Sequence, residues 1–405
     1  MFLSLPTRKC DTPGRRFDPL NKAKLFYFIF YAAMAVLSPF LTLYYQSLGL
    51  SGTQIGLLAG LVPLTGMLSG TLWSATADAT RRYRAILLTG IAGSWVATFF
   101  VSRATGLAGL LPLVLINAFF AAPIGALIDS SVVAQLDENR ADYGRIRLWG
   151  SVGWGLSALL VGPVLERSGL GWAFTINLAL LAVVFLIALR VPLAQTQPAP
   201  GSTFRGSLRV LLADTRYLTL LFTALIYGMS LSMALSYLFL HMRTMGAGES
   251  LMAVTLTAAT ISEVPFLFMA GRLLRRFGVS RVMAVSLALM AARAFAYAWI
   301  AAPGWVVVIN LFHGPTYALF WAAGVAESNR VAPPGLGATA QGAFSSAMFG
   351  LGSALGNLSG GIIYDRFGAP FLFQSVGWLL LATLVIFVAL RQHARRAALV
   401  TGLGR

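Results

Sequence analysis

The sequence predicts an all-α integral membrane protein of twelve transmembrane helices, arranged as two six-helix bundles. Three observations predict it. Of 405 residues, 58% are hydrophobic and only 11% are charged, with a mean hydropathy of +0.77; soluble globular domains carry about 25% charged residues. Apolar runs of about 20 residues, the length that crosses a hydrocarbon core, recur along the whole chain. One phrase, Gly-x-x-x-acid-Arg-x-Gly, keeps returning at the ends of those runs. It reads Gly162 to Gly169 around Glu166 and Arg167, and Gly361 to Gly368 around Asp365 and Arg366. A third copy, Gly271 to Gly278, carries Arg275 where the acid belongs, and an eroded copy runs from Ser74 through Asp78 to Arg81 and Arg82. Asp78 and Arg275 lie 197 residues apart, and Glu166 and Asp365 lie 199 apart. A three-helix unit used four times, in inverted pairs, produces that spacing.

The spans follow in order. The first, 25–46, opens on the aromatic run Phe26, Tyr27, Phe28, Phe30 and Tyr31, which reads as an interface belt in contact with lipid. Nothing before Leu25 resembles a signal core, so this helix is expected to stay as an anchor. Spans 54–77 and 85–102 flank the eroded phrase. The fourth, 107–133, is long enough to tilt or bend, and Asp129 stands near its end. The fifth, 146–165, begins with Arg147 and contains Trp154; the sixth covers 171–190. From Pro192 to Gly201 the chain turns polar and Pro-rich, followed by a short amphipathic piece at 204–212. This divides the chain into a first bundle with a short arm (1–191), a linker (192–215) and a second bundle with a basic tail (216–405). Spans 217–241, 251–271 with Glu263, 281–301 with Arg293 and 304–326 with His313 follow. The eleventh, 338–362, is crowded with glycines such as Gly342, Gly350 and Gly356, the residues that let helix backbones approach where lipid supplies no drive; the twelfth covers 370–390.

A net charge of +17 invites a nucleic-acid partner, but its distribution excludes one. The segments expected on one side of the membrane hold nearly all Lys and Arg, while the other side holds Arg103, Arg167, Arg243 and Arg366. This asymmetry places both termini in the cytoplasm, with the basic surplus facing anionic lipid headgroups. The scarcity of Lys against Arg points to a bacterial source and hence to the cell inner membrane. The single Cys10 supports no disulfide framework. No Walker loop, His-x-x-x-His metal pair or nucleophile elbow occurs, so neither an enzyme nor a cofactor or metal is expected, and uphill transport would draw on an ion gradient.

Ionisable groups inside spans are costly, about 2.5 to 3.5 kcal/mol at mid-membrane on insertion scales, so each needs a reason. Glu263 and Arg293 are equally distant from Gly278 and therefore share a depth at which they can pair. They read either as a static ion pair or as a polar cavity with a titratable carboxylate. Asp129 and Arg147, equally distant from Glu138, repeat that relation nearer the cytoplasmic face. His313 lies about 15 Å inward from the turn at Pro303 and can pass protons, bond a solute or simply pack. Trp154 either stacks on a solute ring or faces a neighbouring helix.

Twelve spans, two halves and the repeated phrase resemble the major facilitator superfamily across nearly the whole chain. The resemblance sharpens at Asp142-Tyr-Gly-Arg-Ile-Arg147-Leu-Trp-Gly-Ser-Val-Gly-Trp154, at Ala338 to Ser346 and at Phe40 to Gln54, which are similar to the group containing the lactose and phenylpropionate permeases and the nucleoside–proton symporters. The resemblance implies solute binding by Asp129, Arg147, Trp154 and His313, proton coupling by Glu263, Arg293 and His313, and gating by the phrase residues Asp78, Arg82, Glu166, Arg167, Gly271, Arg275, Gly361, Asp365 and Arg366. Thr316 stands where the group's proton-carrying glutamate would be, and Asn310 where a lysine would be. It implies a monomeric secondary transporter that moves an organic acid, sugar or nucleoside by alternating access with protons. Efflux by proton antiport and a solute sensor are the alternatives. The cationic capacity around Arg147 leans toward an organic acid.

Overall fold

A computed structural model describes residues 19–136, 143–193, 211–333 and 336–400. The arm with Cys10, the loop with Asp137, Glu138, Arg140 and Asp142, most of the linker and Gly335 lie outside the described residues. Eleven described helices are long and apolar enough to span a membrane: α1 Leu20–Ser47, α2 Gly52–Thr80, α3 Tyr83–Val101, α4 Gly106–Leu136, α5 Tyr143–Ser168, α6 Gly171–Ala188, α7 Thr215–Thr244, α8 Glu249–Phe277, α9 Val279–Trp299, α10 Trp305–Val331 and Gly337–His393. The last is two spans in one run. Gly368, with φ 79° and ψ 174°, breaks it into α11 (337–367) and α12 (369–393), which completes twelve. Several helices, among them α2, α4 and α8, extend beyond their apolar runs at both ends, because a helix keeps its internal hydrogen bonds in the headgroup zone.

Helix ends are set by local chemistry. Ser51 caps α2 through the Gln54 amide while Gln54 reaches back to the Ser51 N–H, a reciprocal capping box. Asp214 caps α7 by accepting from Arg216 N at 2.7 Å. The repeated phrase proves to be a helix terminator. Its final residue is left-handed in three copies, with φ 91° at Gly169, 81° at Gly278 and 79° at Gly368. In the eroded copy the same place belongs to Arg81, the one described non-glycine residue with positive φ, at 58°. The sign of φ is shared but the conformation is not: Arg81 has ψ 15°, whereas Gly278 and Gly368 have ψ 148° and 174°, a region open essentially to glycine alone.

Within the first half α1 packs on α5 and α6, α3 on α4, and α2 on α4; within the second, α7 and α9 pack on the α11–α12 run and α8 on α10. Close approach requires glycine at Gly153, where a methyl would overlap the Phe28 carbonyl, and at Gly228, where it would overlap the Met348 carbonyl. The halves meet chiefly through α2 with α11 and α5 with α8. Every inter-half hydrogen bond among the described residues lies at mid-depth or toward the face opposite the chain termini, here called the loop face. Tyr237 Oη donates to Gly52 O at 3.3 Å, Asn357 Nδ2 to Ala59 O at 3.3 Å and Thr257 Oγ1 to Gly155 O at 3.1 Å. Among the described residues the halves are joined at the loop face and at mid-depth.

The aromatic run of α1 is not a lipid-facing belt. Phe26, Tyr27 and Phe30 are buried, and Tyr31 borders the central cavity. α1 is an inner helix, and an apolar ring in a bilayer protein serves core and lipid equally well, so hydropathy could not distinguish the two. Three stretches depart from α-geometry among the described spans: a 3-10 turn at Ser38–Phe40 in α1 and π-helical turns at Gly314–Ala318 in α10 and Ser346–Gly352 in α11, all beside the cavity.

Candidate functional site

A cavity of about 450 Å³ lies between the halves. The first half contributes Tyr31, Arg147, Ser151 and Trp154, and the second contributes Glu263, Asn310, His313 and Tyr317. Further hydroxyls come from Ser38, Thr42, Ser236, Thr255 and Thr260. Residues far apart in sequence converge because α1, α5, α7, α8 and α10 each turn polar side chains toward the centre.

On the second-half wall, Glu263 and Arg293 share a depth but do not touch; His313 stands between them. Glu263 Oε1 lies 3.0 Å from His313 Nε2, and Arg293 Nη1 lies 3.3 Å from His313 Nδ1. A guanidinium only donates, so Nδ1 accepts and Nε2 carries the hydrogen that points at Glu263. Arg293 also donates to Thr316 Oγ1 at 2.6 Å, to Tyr297 Oη at 2.8 Å and to Asn310 Oδ1 at 3.4 Å. It is 6% exposed and stands behind the wall rather than on it. Thr316, in the place of the expected proton carrier, is thus a ligand of the buried arginine. The π-turn that aims His313 is held from outside: Gly314 N donates to Ser262 Oγ at 2.9 Å, and Ser286 Oγ donates to Pro315 O at 3.1 Å. His313 stacks on Tyr317, with centroids 5.2 Å apart at 15°.

On the first-half wall, Asp129 and Arg147 also do not pair directly. Asp129 Oδ1 accepts from Tyr27 Oη at 2.6 Å, while the Arg147 guanidinium sits 4.0 Å over the Tyr31 ring and 5.5 Å from the Tyr27 ring. Two tyrosines one turn apart on α1 thus intervene between acid and base. Asp129 is set back from the cavity, whereas Arg147 and Trp154 border it. Sequence reasoning missed Tyr27, Tyr31, Tyr297 and Tyr317. The i,i+4 pairs Tyr27–Tyr31, Arg293–Tyr297 and His313–Tyr317 are the signal that places each set on one helix face. It also missed Glu327, a fully buried carboxylate near the terminal end of α10, held by Arg330 at 3.0 Å and Arg391 at 2.5 Å.

The phrase residues lie away from the cavity. Asp365 accepts from Gly52 N at 2.6 Å, Thr53 N at 2.7 Å and Thr53 Oγ1 at 2.6 Å, and Glu166 accepts from Ser250 N at 3.0 Å. Gly361 lies against the Gly52 carbonyl. At the other face Asp78 accepts from Tyr83 Oη at 2.9 Å. Arg82, Arg167, Gly271, Arg275 and Arg366 are exposed.

The family model of the MFS_1 like family matches residues 20–375. The chain belongs to that family. This transporter is 32% identical to a maltose permease of Geobacillus stearothermophilus, over 91% of its own length and 94% of the permease. It is 25% identical to a putative nucleoside transporter, YegT, of Escherichia coli, over 80% of each chain. Its backbone superposes on the crystal structure of the nucleoside transporter NupG with a TM-score of 0.80, at 19% identity, covering 92% of this chain and 99% of that one. These likenesses make it a multi-pass membrane transporter of the major facilitator type and not an enzyme.

Proposed function

We propose that this transporter carries a small, neutral, hydroxyl-rich ring compound, a sugar or nucleoside, across the bacterial inner membrane together with a proton. The terminal face is then cytoplasmic, in keeping with the arginine distribution, and the protein works as a monomer. One observation carries the reading: the cavity offers one cationic group, Arg147, and one anionic group, Glu263, on opposite walls, with hydroxyls and aromatic faces between them. An organic acid, favoured by the sequence, would meet the Glu263 carboxylate as well as Arg147. The Arg147 charge is moreover already engaged by the Tyr31 ring. A neutral polyol uses both walls, since Arg147 only donates and ionised Glu263 only accepts. The maltose permease likeness supports a sugar and the YegT likeness a nucleoside.

Glu263 is the one carboxylate bordering the cavity among the described residues, with a side chain 26% exposed. When it takes up a proton it changes from acceptor to donor, so solute and proton affect each other's binding through one atom pair. His313 fixes the orientation of that carboxylate, and Arg293 fixes the tautomer of His313. The test is uptake of labelled maltose, uridine and phenylpropionate into proteoliposomes with and without an inward proton gradient. Gradient-driven accumulation of maltose or uridine is expected. Accumulation of phenylpropionate alone, or of none of the three with a gradient, refutes the reading.

A further inference from the structure

The seam between α3 and α6, in the first half, holds an apolar groove of about 350 Å³ that shares no lining residue with the central cavity. Two hydrogen bonds cross this seam, one at each end of the groove. Toward the loop face Trp95 Nε1 donates to Leu178 O at 2.9 Å, and at the terminal face Arg84 Nη2 donates to Val191 O at 3.0 Å. Between these two staples the groove is lined by Ala92 of α3 and Ala182 of α6, whose methyl groups are too small to fill it, with Trp95 and Phe185 beside them. The bridging indole, stacked on Phe99 with centroids 6.1 Å apart, bounds the groove toward the loop face. From there the groove runs toward the terminal face.

Each helix carries an arginine in line with its side of the groove. On α3, Ile91 and Trp95 lie seven and eleven residues beyond Arg84, along one strip of the helix; Ala182 and Leu186 of α6 precede Arg190 in steps of four. Arg84 is about 16 Å from Trp95 along the axis, close to the hydrocarbon depth of one leaflet, about 15 Å. The groove therefore lies among acyl chains and the arginines among headgroups. The Arg84 bond to Val191 O brings the two charges together, because Val191 directly follows Arg190. That bond uses one of the five N–H donors of Arg84. Both arginines are exposed, and neither is in a salt bridge among the described residues. Asp78 is engaged by Tyr83 Oη at 2.9 Å, and no acid occurs from Val191 to Leu212. Asp137 and Glu138 are the competing anions: they lie outside the described residues and follow α4, whose Gln135 donates to Pro192 O at 2.8 Å.

We propose that this groove is a site for one anionic phospholipid of the terminal-face leaflet, with an acyl chain in the groove and the phosphate on Arg84 and Arg190. A phosphodiester only accepts and a guanidinium only donates, so the two are complementary in charge and in hydrogen bonding. Bulk lipid covers any apolar face, whereas a groove bounded at both ends and flanked by two arginines selects one chain and one headgroup charge. The site is separate from the solute cavity and does not rest on the transport reading. The purified full chain in detergent is titrated with dioleoyl phosphatidylglycerol or dioleoyl phosphatidylcholine, and bound lipid is counted by native mass spectrometry. One phosphatidylglycerol should bind, with phosphatidylcholine at least about tenfold weaker. Arg190→Gln should weaken phosphatidylglycerol about 5-fold, and Arg84→Gln combined with Arg190→Gln about 30-fold. Ala182→Phe fills the groove, keeps both arginines and should weaken both lipids. Thermal melting without lipid checks that each variant folds; should the double variant fail to fold, Arg190→Gln and Ala182→Phe decide. Equal binding of the two lipids, the result if Asp137 and Glu138 already neutralise the arginines, overturns the proposal. So does wild-type binding by folded Arg190→Gln or Ala182→Phe. Displacement of the lipid by equimolar inorganic phosphate assigns the arginines to a free anion and overturns it as well.

Discussion

Replacing Glu263 by Gln separates proton coupling from solute binding. The amide keeps the shape and still accepts from His313 Nε2, now at 3.0 Å from a carboxylate oxygen, but it cannot gain or lose a proton. A hydrogen bond to a charged group contributes roughly 1.5–3 kcal/mol and one between neutral groups roughly 0.5–1.5, so the fold loses about 1 kcal/mol, small enough to keep the protein intact. The functional loss is larger. With one proton per solute, a gradient of about two pH units supplies roughly 2.7 kcal/mol and supports about 100-fold accumulation. Glu263→Gln should bring accumulation to the level of simple equilibration, while exchange of external for internal solute persists without a gradient. The assay is paired: gradient-driven uptake and equilibrium exchange in the same proteoliposomes. If Glu263→Gln still concentrates solute with the wild-type dependence on the gradient, the carboxylate is not the coupling group and the cavity argument fails with it.

Other outcomes follow from single contacts. Arg81 holds a left-handed conformation that costs a non-glycine residue about 1–2 kcal/mol; Arg81→Val, whose β-branched side chain tolerates that conformation less well still, should lower the thermal midpoint of the purified protein further than Arg81→Gly does, both variants lacking the guanidinium. Gly228→Ala drives a methyl into the Met348 carbonyl, a backbone atom that cannot swing aside, and should destabilise by about 1–3 kcal/mol in thermal melting. Tyr31→Leu removes the ring beneath Arg147, a contact of about 0.5–2 kcal/mol, and should raise the transport KM roughly 2- to 30-fold, whereas Tyr31→Phe should retain most of the affinity.

Much of this architecture is legible along the chain. The twelve runs, the break at Gly368 and the four copies of the phrase are all one-dimensional periodicities, and the bilayer enforces them because every buried backbone group must be satisfied within its own helix. Depth is legible too. Counting residues from Gly278 correctly set Glu263 and Arg293 at one level, since a helix rises a fixed distance per residue. Rotation about the helix axis is not legible, because a span apolar on all sides carries no stripe to show which face turns inward. For that reason Phe26 and Tyr27 read as lipid contacts and proved buried, and both acid–arginine pairs, placed at depths where they could pair, proved bridged. Only the packed bundle decided that His313 would stand between Glu263 and Arg293, that Tyr27 and Tyr31 would stand between Asp129 and Arg147, and that Asp365 and Glu166 would cap helices of the opposite half. The sequence by itself set the helices, their order and their depths. The azimuth of each helix, and with it every contact in the cavity, came from tertiary packing.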